Sequence, residues 1–571
     1  MNRKRLLKMS KGEIPAELVL KHGRIVDVFN ERLIKKDIAI ADGKIIGIGE
    51  YDGVKEIDFE ENIISPGFID GHMHLESAMV KIDEFAAWIV PRGTTTIFAD
   101  PHEIANVAGL EGIKYFLDRG NKLPWNFNLM LPSCVPSTAN ETSGAKLSAD
   151  NLSQLKDAEG IFGLGEVMDF VGVINGDSEI WDKIDMVGDK FIDGHAPGVS
   201  GKDLNAYLLG GIMADHECTT PEEAKEKVTK GMYVMIREGS VTRDLVNLLP
   251  AVDNSNLSSF LLATDDRDPE DLYQNGHINF VIKKAIENGV SPLRAIKLAT
   301  INSADALGLK NVGAIAPGYK ADLVILDNLK DFNVKKVFKD GELVAENESL
   351  IVNLPEIKEG KSEKIFNSVN IGKLKKEDFD LPDYKKYRVI KLIKDQIVTG
   401  KEVINFDKQV KTDDLVANNL VKIGVVERHK KTGNVGLGLL KGFGLRKGAI
   451  AISIGHDSHN IIVIGLNSQD MYKAVKEIEK LKGGVAVVNN GELIDCLPLE
   501  IAGLMSKDSI PEVAKKLRKM KEKVYSMGVT RQSPFMTLSF MALPVIPSLK
   551  ITDQGLFDID ENKFVSLGIE D

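Results

Sequence analysis

Over residues 17–58 apolar and polar positions alternate in short runs, ELVLKHGRIVDVF and then DIAIADGKIIGIG, the period of half-buried strands. The Ala-Asp-Gly-Lys step between two such runs predicts a hairpin, because Asp-Gly tolerates the left-handed conformations of a two-residue turn. A related pattern returns at 336–346, KVFKDGELVAE, with Lys-Asp-Gly-Glu as its turn, and ADLVILD at 321–327 adds another strand. Similar hairpins on both sides of a long insertion predict one small composite β-sandwich domain, built from 1–62 and 311–354.

Within the insertion, 63–310, strand-like runs (TTTIFAD, IFGLGEV, FIDGH, GIMADHE, MYVMIRE, FLLATDD) alternate with helical ones. PEEAKEKVTKGM and SPLRAIKLATINSADALG are the clearest helices, the second opening on Ser291 as cap and Pro292 at the first position. Alternation over roughly 250 residues predicts an α/β fold, a (β/α)8 barrel with its chemistry at the strand ends. The Lys- and Glu-rich stretch 355–383 reads as a surface connector. Beyond it, 384–571 reads as a further C-terminal α/β domain, with IAISIGHDSHNIIVIGL and the helical SQDMYKAVKEIEKLKGG.

Composition narrows the functional classes. The 571 residues carry 73 basic and 84 acidic side chains, a net charge of −11, which argues against a nucleic-acid or membrane-surface partner. Three widely spaced cysteines, Cys134, Cys218 and Cys496, give no disulfide framework and suit a reducing cytoplasm. The basic start MNRKRLLK is followed by no apolar signal core. The uncharged run at 532–549 contains three prolines and reads as a buried irregular segment rather than a membrane span.

The strongest chemical signal is PGFIDGHMHLES. His72 and His74, two apart on a strand end, point to one side and can share one ion. Glu166 in GLGEVM, His195 in FIDGH, His216 in MADHE and Asp265 in LLATDD each end a later strand. Alone, any of them reads as a helix cap or a satisfied core residue; together they place four imidazoles and two carboxylates at one end of one barrel. GNVGLGLLKGFG lacks both the P-loop lysine and a following acidic residue, so no nucleotide-cofactor site is expected there.

This order of ligands resembles the amidohydrolase superfamily, and ATINSADALGLKNVGAIAPGYKADLVILD resembles that superfamily's return into its small β domain. DGHMHLES, ADPHEIANVAG, GLGEVM, DGHAPG, DHECT, IREGS, ATDDR and HDSHN are similar, over nearly the whole chain, to the bacterial and archaeal adenine deaminase family. The resemblance implies hydrolysis of the adenine amine by a metal-activated hydroxide, with adenine as the small-molecule partner. It also implies a homo-oligomer and a role in purine salvage. His72, His74 and Asp265 would hold one of two divalent ions, His195 and His216 the other, and Glu166 would bridge them. Imidazole and carboxylate donors without thiolate suit Mn, Fe or Zn, and the resemblance favours manganese or iron. Asp265 would also move the water's proton to the leaving ammonia.

The acid for the purine ring nitrogen N1 stays open among Glu238, Glu103 and His102. Arg237 with Glu238, and Asp266 with Arg267, can be read as plain local ion pairs, and Glu76 and Ser77 as partners of the histidines. Cys218 reads as structural. His456 and His459 in HDSHN form a surface turn or a possible additional site. Two alternatives remain at this point: another amidohydrolase acting on a cyclic amide or N-acetyl substrate, and a non-catalytic scaffold of the same ancestry.

Overall fold

The computed structural model describes residues 3–356, 362–394, 396 and 398–570. The two sequence-predicted hairpins form as expected. Asp42 and Gly43 both take positive φ (53° and 69°), as do Asp340 and Gly341 (49° and 78°), so each turn spans two residues. The turns also meet: Ala321 N–H donates to Gly43 O, and Gly341 N–H to Ala321 O, each at 2.9 Å.

Strand Ile63–Pro66 from one flank pairs antiparallel with Leu323–Leu326 from the other, inside a seven-stranded sheet. A four-stranded sheet containing Ala16–Lys21 and Asp37–Ala41 packs on it through Leu18, Leu20, Ile38, Ile64, Leu323 and Phe338. The composite β domain thus ties both ends of the insertion together.

The insertion carries eight parallel strands. Phe68–Met73, Thr94–Ala99, Asn126–Leu131, Ile161–Val167 and Phe191–Gly194 run in sequence order, followed by Ala214–Asp215, Tyr233–Arg237 and Phe260–Ala263. Two seams close the ring. Met213 N–H donates to Ile192 O at 3.0 Å, and Met73 bridges Asp265, whose N–H donates to His72 O at 3.0 Å. The strand predicted at GIMADHE shortens to Ala214–Asp215, and Asp215 pairs with the buried Lys227 of helix Pro221–Thr229 at 2.9 Å. Pro221–Thr229, Pro292–Leu298 and Ile301–Ala306 are helical, although the Ser291 side chain makes no capping hydrogen bond.

The C-terminal region builds an eight-stranded, mostly antiparallel sheet covered on one face by helix Ser468–Leu481. The uncharged run folds into helix Pro534–Ser539 and the turn Phe540–Ala542, both buried. Within the connector stretch, 357–361 lie outside the described residues, while Ile365 and Phe379 are buried. No described helix is long and apolar enough to cross a membrane.

The sheet is fastened by Arg428, which is fully buried and donates to His459 O, to Ala502 O at 3.1 Å and to Ser368 Oγ at 3.3 Å. Gly503 permits this: its φ is +70°, and a Cβ there would lie 2.2 Å from Arg428 Nη1. Gly503→Ala therefore combines a left-handed strain with a clash against a fixed guanidinium. It should cost roughly 2 kcal/mol or more, visible as a lower midpoint in chemical or thermal unfolding of the full chain.

Candidate metal centre

The barrel's strand ends bring the six expected donors into one buried cluster. His72 and His74 leave the first strand with their Nε2 atoms 3.2 Å apart. Asp265 Oδ1 lies 3.3 Å from His74 Nε2 and 3.9 Å from His72 Nε2. Glu166 spans the cluster: Oε1 is 3.5 Å from His74 Nε2, while Oε2 is 2.6 Å from His195 Nδ1 and 3.4 Å from His216 Nε2. His195 is the most open of the six, and His216 stacks on His72 with ring centres 3.9 Å apart.

The donor set fits divalent cations, and the hydrogen bonds behind it say why. His72 Nδ1 faces Asp193 Oδ2 at 2.8 Å, and His74 Nδ1 faces the Asp100 carbonyl at 3.1 Å. Those acceptors orient the two rings so that both Nε2 atoms point into the cluster, the arrangement in which ring nitrogens bind a metal ion. Asp100 also accepts the Glu166 N–H at 2.9 Å, setting the height of the bridging carboxylate.

Electrostatics agree. Burial pushes the Glu166 carboxyl up, but His195 and His216 outweigh it and hold the group well below the usual carboxylate range. Burial opposes charge on His216, yet the Glu166 hydrogen bond pushes it up to about 10. Asp265 sits in left-handed backbone, φ 55°, and is also held well below its ordinary range, against burial, by His74 and Arg237.

Several supporting residues have no motif that would have revealed them. Arg237 donates to Asp265 Oδ2 and to Asp244 Oδ2, each at 3.0 Å, and grips Glu217 with both terminal nitrogens. Glu217 in turn lies 3.5 Å from His216 Nε2 and 3.7 Å from His195 Nδ1. Thr242 Oγ1 donates to Asp265 Oδ2 at 3.2 Å. The sequence signals for Glu217 and Arg237 were their places in DHECT and IREGS, beside His216 and Glu238, which did not reveal their contacts.

Other expectations change. Arg237 and Glu238 are not a pair; they alternate on one strand, so Arg237 faces the cluster and Glu238 turns outward to Lys284 on helix Ile278–Glu287. Among the described residues Glu238 thus pairs with Lys284 and with none of the six donors. Asp266 does not pair with Arg267: it accepts from Ser77, while Arg267 lies over the Phe280 ring and donates to the Glu238 carbonyl. Ser77 thus supports an aspartate rather than a histidine, and Glu76 accepts the Ile104 N–H at 2.9 Å. Cys218 is buried, with Sγ 3.4 Å from Asp215 Oδ2, away from the donors.

His102 and Glu103 open helix His102–Ala108 at the edge of the cluster. His102 Nδ1 is 3.3 Å from Glu166 Oε1, and its Nε2 is 3.5 Å from Glu103 Oε1. His456 and His459 are no surface turn. Both are buried against the barrel mouth, where they close on the two oxygens of Glu103, and His456 stacks on Phe540.

With this geometry in place, comparison with known proteins is informative. The amidohydrolase family model matches residues 63–344, and the adenine deaminase C-terminal domain matches 396–563. The chain is 56% identical over 567 residues to the adenine deaminase of Petrotoga mobilis, covering 99% of this chain and 100% of the relative. It is 45% identical to adenine deaminase 2 of Carboxydothermus hydrogenoformans, covering 99% of each. It is also 45% identical to the adenine deaminase of Clostridium acetobutylicum, over 96% of this chain and 97% of the relative. Barrel, donor cluster and C-terminal domain are accounted for together by one conclusion: this chain belongs to the adenine deaminase family of amidohydrolases.

Proposed function

We propose that the donor cluster holds two divalent cations and serves the hydrolytic deamination of adenine to hypoxanthine and ammonia. The observation that carries this reading is the convergence of six donors in a chain that matches proteins named adenine deaminase over nearly its whole length. His72, His74 and Asp265 would hold one ion and His195 and His216 the other, with Glu166 reaching both through its two oxygens. Manganese or iron suits the donors, and zinc is also compatible. When bound, the ions make a nearby water acidic enough to act as nucleophile near neutral pH.

The chain's own groups supply the proton transfers. Asp265 Oδ1, facing the histidine pair, accepts the water's proton and returns it to the leaving ammonia. Its other oxygen is occupied by Arg237 and Thr242, which fix the carboxylate's orientation. His102, between Glu166 and Glu103, is placed to donate to N1, and Glu103 is placed to orient it.

We read 63–310 as the catalytic barrel, 1–62 with 311–354 as the composite β domain, 355–383 as connector and 384–571 as the C-terminal domain. Free cysteines, two of them buried, suit a reducing cytoplasm, and adenine as substrate suits a role in purine salvage.

Two outcomes test the site. Asp265→Asn should lower turnover of adenine by about 10²–10⁴-fold, because the proton shuttle is lost while five donors remain. Ammonia release, with bound metal measured in parallel, checks it; unchanged turnover would remove Asp265 from the mechanism. Asp193→Ala frees the His72 ring and should weaken metal affinity about 10–100-fold in competition with a chelator.

A further inference from the structure

The uncharged run at 532–549 has an assignable place but no role so far. Its helix Pro534–Ser539 roofs a narrow cavity between the barrel mouth and the C-terminal sheet. One side is apolar, formed by Ile452, Val485, Leu504, Phe535 and Met536. The other side carries Glu76 and Ser77, just after His74, and Glu103, next to His102 at the start of its helix. The cavity therefore lies beside the donor cluster, although none of the six donors lines it.

Its size and its polar groups both point to a small ligand. About 20 Å³ is open to the centre of a water molecule, which leaves no space for a bulky substituent. Glu76 is buried, and while one carboxylate oxygen accepts the Ile104 N–H, Oε2 has no hydrogen-bond partner. A buried carboxylate oxygen without a donor is costly, so a donor from the occupant is called for. Glu103 is bonded through Oε1 to His456, and its Oε2, which makes no hydrogen bond, lies against His459. Apolar walls with a few fixed polar groups are the usual build of a small-molecule site.

We propose that this cavity is the purine slot, with the C-terminal domain as its apolar wall and Glu76 accepting the ring N–H of the base's imidazole half. The proposal rests on the adenine reading above. With C6 directed to Asp265 and the metal donors, the five-membered ring is the part that enters the cavity. Its N–H is present in the free base and absent in a base substituted at N9. A second opening of about 250 Å³, lined by Ser240, Arg243, Gln532 and Phe540, shares Met536 with the slot and leads outward. His456 and His459 also line this cavity, where they close on the Glu103 carboxylate.

Steady-state kinetics on metal-loaded full-length protein tests the slot. Met536→Trp fills the cavity and Glu76→Gln removes the acceptor without changing shape. Each should raise KM for adenine about 10-fold or more, with bound metal and thermal midpoint as in the parent protein. 9-Methyladenine should fail to compete with adenine. Parent-like KM in both variants overturns the slot, as does competition by 9-methyladenine at adenine's own strength. If Met536→Trp does not fold, the isosteric Glu76→Gln decides alone. A parent protein that is fully metallated yet inert on adenine brings down the adenine reading itself, an outcome distinct from parent-like variants of an active enzyme.

Discussion

Glu166 sets the terms for everything around it. Its carboxylate is buried at the barrel mouth with imidazoles on both oxygens, and a group so placed cannot rely on water for its charge. Removing a carboxylate from water costs several kcal/mol, so every neighbouring element must return favourable interactions. Asp100 fixes its backbone, His195 and His216 face one oxygen, and His74 and His102 face the other. Those imidazoles are in turn oriented from behind, His72 by Asp193 and His74 by the Asp100 carbonyl. The result is a set of imidazole and carboxylate groups aimed inward at one buried point, an arrangement suited to divalent cations.

That arrangement requires a closed barrel. The donors come from the first, fourth, fifth, sixth and eighth strands, which lie far apart in sequence and meet only because the ring closes. Closure occurs at the site itself, where Asp265 N–H donates to His72 O, so a metal donor and the seam are one residue. The composite β domain supports the ring from below by pairing Ile63–Pro66 with Leu323–Leu326, which fixes both ends of the insertion at the start of the first barrel strand.

Much of this was legible in sequence because the informative residues obey strong local rules. Asp-Gly turns specify hairpins, strand-end histidines two apart must share a side, and the order of donors along the chain tracks the order of strands. Legibility failed where a rule has two phases. On Tyr233–Arg237 and the residue after it, period-two alternation places Arg237 and Glu238 on opposite faces, but it does not say which face is inward. The structure gives that place to Arg237, and Glu238 goes to Lys284. Asp193 and Glu217 were hidden for another reason: each lies within two residues of a candidate ligand, but their partners, the His72 ring and Arg237, come from other strands. The HDSHN motif looked like a polar turn because its partner, Glu103, is 353 residues away.

The C-terminal domain illustrates how a second domain can complete a site without supplying a metal donor. Arg428 gathers the His459 carbonyl and the Ala502 carbonyl into one buried network, and Gly503 leaves room for it. That network holds His459, which meets Glu103 beside His102 at the edge of the donors. A chain of fixed contacts therefore runs from the C-terminal sheet to Glu166, and none of its members is free to move alone. The barrel can concentrate charge at its mouth because the domain above excludes water from it. An isolated barrel would expose Glu103, His102 and Glu76 to solvent, weakening the same electrostatics that aim the donors inward. The uncharged run at 532–549, read from sequence as a buried segment, is explained on the same grounds, since charge in a roof over a desolvated site would be costly.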